Sequence, residues 1–130
     1  MPVTGLSHYN LRADRLVLDT LRDFYVDVVG LAAGYRPPFN SHGYWLYAGS
    51  QAVLHLSEAS SGEARRVNVT NTFDHVAFVC EDIAASVARL QRFNVPYRSD
   101  DVPLTRQHQL FFSDPAGNGV ELNFAQDDAR

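Results

Sequence analysis

Residues 107–124 read Gln107-His108-Gln109-Leu110-Phe111-Phe112-Ser113-Asp114-Pro115-Ala116-Gly117-Asn118-Gly119-Val120-Glu121-Leu122-Asn123-Phe124. A strand-forming run over 107–113 meets the turn chemistry of Asp114-Pro115-Ala116-Gly117-Asn118, and a second strand follows over 119–124. Alternate residues of a strand share a face, so Val120, Leu122 and Phe124 form an apolar surface. Gly119, Glu121 and Asn123 form the opposite one, which sets a carboxylate on the face away from the core.

Upstream lies Phe73–Cys80, a strand in which Val76, Phe78 and Cys80 oppose His75, Ala77 and Val79. Asp82 is a helix N-cap ahead of Ile83, Val87, Leu90 and Phe93 at helical spacing, and Asn94-Val95-Pro96 ends the helix. Residues 97–99 make a short strand. The second half is therefore β-α-β-β-β.

The first half has the same order. A strand over 6–12 precedes the cap Asp14 and a helix carrying Leu18, Leu21, Phe24, Tyr25 and Val28, which stops at Gly30. Strands follow at 34–36, 44–48 and 52–57, separated by Pro37-Pro38 and by a Gly49-Ser50 turn. His8 lies 67 positions before His75, and His55 lies 66 before Glu121. Internal duplication is the simplest account of those offsets. The expected fold is α+β. Two tandem βαβββ units, 5–58 and 72–125, form a cup-shaped mixed sheet with helices on its outer face. An exposed linker at 59–71 joins them within a single domain over 1–130, and 126–130 is a polar tail.

Composition bounds the partners. The 130 residues are 45% hydrophobic and 20% charged, with net charge −4, which points away from nucleic acid and from anionic membrane surfaces. The single cysteine, Cys80, makes no internal disulfide and reads as a small buried hydrophobe. No leader-like N-terminus and no span of about 20 apolar residues is present, so a cytoplasmic protein is expected.

Four strands thus each offer one metal-capable side chain from the face opposite the core: His8, His55, His75 and Glu121. Singly, a histidine on such a strand is an ordinary hydrogen-bonded residue. Four at repeat-related positions point to one divalent ion per site, and three imidazoles with a carboxylate suit Zn, Ni, Fe, Co or Mn. His42 and His108 fall outside the repeat and read as surface or substrate-entry residues.

Gly5-Leu6-Ser7-His8, residues 24–31 (Phe-Tyr-Val-Asp-Val-Val-Gly-Leu), Asp74-His75-Val76-Ala77-Phe78 and residues 111–122 together resemble the vicinal oxygen chelate superfamily of glyoxalases, bleomycin-resistance proteins and dioxygenases. The resemblance covers almost the whole chain. It implies metal positions at His8, His55, His75 and Glu121, a small substrate with two adjacent oxygens, and a homodimer that shares its sites. Glyoxalase-like members carry Glu or Gln where this chain has His55, which leaves Glu121 to shuttle the proton. On that lyase or isomerase reading Arg12 or Arg106 holds an anionic substrate group, and Asn10, Phe111 and Asn123 complete the substrate-binding set. An Fe(II) extradiol dioxygenase would instead use His8, His75 and Glu121 as its triad and His55 as acid/base. A drug- or metabolite-binding protein would use Trp45, Tyr47 and Phe111 as a groove.

Overall fold

A computed structural model describes residues 2–125; the polar tail expected at 126–130 lies outside them. The elements in chain order are β1 (Tyr9–Ala13), α1 (Arg15–Phe24), a π turn (Tyr25–Val29), β2 (Ala32–Gly34), β3 (Gly43–Ala48) and β4 (Gln51–Glu58). After them come β5 (His75–Cys80), α2 (Ile83–Arg92), β6 (Arg98–Asp101), β7 (His108–Ser113) and β8 (Gly119–Phe124). They build two four-stranded mixed sheets, β1-β4-β3-β2 and β5-β8-β7-β6. In each sheet the first and last strands of the repeat pair in parallel and the others pair antiparallel. The chain is an α+β protein of two βαβββ units, and its compact units are Met1–Arg66 and Val67–Arg130.

In the first unit Asp14 accepts from the Val17 amide at 3.0 Å and starts α1, whose Leu18 and Leu21 are buried. The Tyr25 carbonyl then accepts from both Gly30 and Leu31 amides, which widens the last turn. Helical periodicity alone does not reveal this widening, which lets Tyr25, Val28 and Val29 all be buried. Gly30, at φ +101°, takes the left-handed conformation that ends it. Leu46, Leu54 and Leu56 complete that core from the sheet, and α1 packs on β1, β3 and β4. In the second unit Asp82 accepts from the Ala85 amide and starts α2, which buries Ser86 and Leu90, while Leu110, Phe112, Val120, Leu122 and Phe124 are the buried apolar residues of the sheet.

Several strand boundaries differ from the sequence reading. β1 starts at Tyr9, its first residue in register with β4, so Leu6 and His8 precede the ladder. β5 starts at His75, because the Phe73 amide is taken by the Asn71 side chain at 2.8 Å. β2 lies at 32–34, since Pro37-Pro38 downstream offers no amide hydrogens for a ladder. β6 runs two residues further, to Asp101, through its antiparallel register with β7.

Residues 59–71 are held at two points. Arg12 Nε and Nη2 each donate to the Glu63 carboxylate at 2.8 Å, and Nη2 also reaches Ser60. The Asn68 amide donates to Ala116 at 2.6 Å, where Gly117, at φ +88°, has no side chain to strike Asn68. No helix among the described residues is long and apolar enough to cross a membrane.

Candidate metal and substrate site

The second unit sets His75 at the start of β5 and Glu121 on β8. His75 pairs in register with Gly119, and Glu121 pairs with Ala77, so the two side chains share a face two residues apart. Gly119 is needed there: a Cβ would lie 2.1 Å from the Asp74 carbonyl oxygen and 2.9 Å from the His75 Cβ. His75 Nε2 lies 3.1 Å from Glu121 Oε1, while His75 Nδ1 faces the Asp74 carboxylate at 2.7 Å. The Asp74 hydrogen bond is the main cause that raises the His75 pKa, with the Glu121 charge adding to it.

Glu121 is buried, with only 6% of its surface exposed. Its Oε2 accepts from Gln109 Nε2 and from Asn123 Nδ2, each at 3.1 Å. Gln109 and Asn123 face each other across the β7–β8 ladder, so both amides reach the same oxygen. The carboxylate is thereby fixed with Oε1 alone toward His75. Phe111 stands edge-on to His75 at 5.6 Å and carries the Arg98 guanidinium over its ring at 4.5 Å.

The first unit repeats the offset. His55 pairs with Asn10, two residues beyond His8. The His8 and His55 rings stack at 3.7 Å, and Trp45 stacks on the other face of His55 at 4.0 Å. The three rings border a groove of about 650 Å³, with Phe39 and Tyr47 also on its wall. Burial is the main cause that lowers the His55 pKa, followed by the charges of His8 and Arg36. Burial thus favours the neutral form of the His55 imidazole.

The other expected site residues fall as follows. Asn10 accepts from the Ser57 hydroxyl at 2.9 Å. The Arg12 guanidinium is engaged by Glu63. Arg106 is exposed in the loop between β6 and β7 at φ +57°. His42 bonds to the Tyr44 hydroxyl, which donates to Asp19, and His108 bonds to Asp101. Cys80 is half-buried at the end of β5. Within neither unit do three His, Cys, Asp or Glu side chains gather as a metal cluster among the described residues. Two residues escaped the sequence reading. Gln109 looks like any outward polar residue of a strand until its register with Asn123 is known. Arg36 sits in a loop with no periodicity to mark it.

The family model described as the Glyoxalase/Bleomycin resistance protein/Dioxygenase superfamily matches residues 5–122. No curated protein matches the sequence. Among solved structures, the lactoylglutathione lyase from Agrobacterium tumefaciens is 23% identical, with 100% of each chain covered and a TM-score of 0.67. FosX, a genomically encoded fosfomycin resistance protein from Listeria monocytogenes, is 17% identical over 95% of this chain and 94% of its own, with a TM-score of 0.68. TnmS3, an antibiotic binding protein from Streptomyces sp. CB03234, is 21% identical over 96% of this chain and 98% of its own, with a TM-score of 0.66. These likenesses are of fold.

Proposed function

The chain belongs to the Glyoxalase/Bleomycin resistance protein/Dioxygenase superfamily, and from that premise we propose that it is a metal-dependent, glyoxalase-like lyase or isomerase acting on a small substrate with vicinal oxygens. The observation that carries this reading is the Asp74–His75–Glu121 arrangement. Asp74 accepts from Nδ1–H, so an ion that displaced the Nε2 proton shared with Glu121 would meet the Nε2 lone pair and Oε1 together. Two donors 3.1 Å apart, each about 2.0–2.2 Å from one ion, subtend roughly a right angle at it, as ligands of a transition metal do. The donor set fits a divalent ion, and the proposed ligands are His75 and Glu121, with His8 and His55 as the corresponding pair of the first unit.

A divalent ion bound there would act as a Lewis acid toward the substrate's adjacent oxygens. The chain's own residues do the rest. Gln109 and Asn123 hold Glu121 in one orientation. Glu121 is the proton carrier; His55 takes the acid/base role on the alternative in which it is not itself a ligand. Asn10 and Phe111 meet the substrate, and Asn123 acts through Glu121. A homodimer in the cytoplasm is part of the same proposal.

Metal analysis of protein purified without added metal or chelator tests it. Zinc, nickel, cobalt or manganese is expected, with turnover of a hemithioacetal. Iron with oxygen uptake on catechols would turn the assignment to a ring-cleaving dioxygenase. His75→Ala and Glu121→Ala should each abolish tight metal binding while the far-UV circular dichroism stays native. Full metal stoichiometry in either variant overturns the reading.

One observation favours a second function, sequestration of a flat drug or metabolite: the Trp45–His55–His8 ring column bordering its groove. Tight ligand binding by a metal-free protein that turns nothing over would establish it.

A further inference from the structure

Arg36 follows β2 and precedes Pro37-Pro38, in the loop that leads to β3. Its Nη1 donates to the Ser41 carbonyl at 2.8 Å and its Nη2 to the Ser41 hydroxyl at 3.3 Å. Its guanidinium lies over the Phe39 ring at 4.8 Å. A Cβ on Gly43 would stand 3.0 Å from Nη2 and 3.1 Å from Cζ, so the missing side chain at 43 makes room for the guanidinium. Its Nε is shut off from solvent and has no hydrogen-bond partner among the described residues. No carboxylate among the described residues lies within ion-pair distance of it, whereas Arg12 and Arg15 are matched by Glu63 and Glu58.

A half-buried guanidinium with no carboxylate beside it is left with its charge uncompensated, which calls for an explanation. Here the guanidinium borders a recess of about 220 Å³ whose other walls include Asn10, Trp45, His55 and Ser57. That space is many times the roughly 10–15 Å³ of probe volume one water needs, enough for a small organic acid. We propose that Arg36 is the anion-binding residue of this recess and takes the carboxylate of a small substrate whose flat apolar part lies against Trp45 and Phe39.

The chemistry selects a monoanion. The planar guanidinium offers the Nη hydrogens that Ser41 leaves unused, and its single positive charge matches a carboxylate. Arg36 is the single Lys or Arg on the walls of the recess, so a phosphate dianion would be left half-neutralised. Asn10 and Ser57, already bonded to each other, supply polar wall without charge. The inference rests on the proposed function only in taking this recess as part of the substrate site; it needs no metal.

Trp45, the protein's single tryptophan, is the reporter. Its fluorescence is titrated with benzoate, benzamide and inorganic phosphate on full-length protein stripped of metal by a chelator. Benzoate should give a saturable change, benzamide and phosphate much weaker ones. Arg36→Gln should weaken benzoate at least about tenfold, and Arg36→Lys, which keeps charge but loses the planar guanidinium, by less. Equal affinity for benzoate and benzamide overturns the proposal, as does unchanged benzoate affinity in Arg36→Gln or tighter binding of phosphate. Far-UV circular dichroism checks each variant; if Arg36→Gln fails to fold, the comparison of benzoate with benzamide on the unaltered protein still decides. A failed benzoate titration beside intact metal binding rejects the anion site alone. A benzoate response in a protein that never binds metal rejects the metal reading alone.

Discussion

Glu121 shows how much one buried charge demands of its neighbours. At 6% exposure a carboxylate is expensive unless its oxygens are satisfied. Oε2 has two amide donors and Oε1 faces His75 Nε2. If both protons reside on His75, the pair is an ion pair; a divalent ion in place of the Nε2 proton satisfies the same two atoms. Gln109→Leu leaves Oε2 with one donor and lets the carboxylate turn. The expected result is a metal affinity about 10–100-fold weaker, measured by competition with a chelator, without loss of fold. Unaltered affinity would mean that Gln109 does not orient the ligand. His75 and Glu121 were legible in the sequence because alternation puts them opposite apolar residues. Gln109 was not, because its role depends on cross-strand register, which no local pattern encodes.

The elements owe their existence to signals that are local and therefore readable: the Asp14 and Asp82 caps, the Gly30 stop, the alternation of β4 and β8. What escaped the reading is set by contacts distant in sequence. The π turn serves the burial of three neighbouring residues, and the first rung of β1 depends on β4, more than 40 residues on. The parallel β5–β8 ladder depends in the same way on Gly119. Gly119→Ala drives a Cβ to 2.1 Å from the Asp74 carbonyl oxygen, and backbone has to give way. A loss of about 1–3 kcal/mol is expected in urea unfolding, as for other overpacked sites. The strap formed by Arg12 and Glu63 is a second case. Hydrogen bonds from Arg12 first, and then from Arg65, hold the Glu63 carboxyl far below its ordinary value of 4.5. A depressed folded pKa stabilises the protein above the ordinary carboxylate range, and that stability is lost as pH falls through and below it. Glu63→Gln should therefore melt at lower temperature than the parent at pH 7, and the gap should narrow as pH falls below 4.5, with part of it still present at pH 3. A gap independent of pH would assign the effect to packing instead.

For the whole molecule, the open question is how its exposed strand surfaces are protected. Two open sheets leave four edge strands, β1, β2, β5 and β6. β2 is only three residues long, and β6 carries Arg98, Asp100 and Asp101, both of which discourage adhesion. β5 is different. It runs six residues, His75–Cys80, without Lys, Arg, Asp or Glu. Ala77 is exposed and Val79 is 95% exposed, on the face that also carries His75. An apolar strand face left open beside a buried carboxylate is a surface that association would cover. A second copy of the chain is the occupant consistent with the proposed homodimer. Sedimentation velocity at micromolar concentration should therefore give twice the chain mass. Val79→Asp, which puts a charge on an already exposed position and disturbs no core, should shift the population toward monomer. Because Val79 makes no part of the ligand set, its variant also separates two questions that a ligand variant would merge. If the monomeric variant still binds metal as tightly as the parent, one chain suffices to hold the ion; if affinity falls with dimer content, ligands come from two.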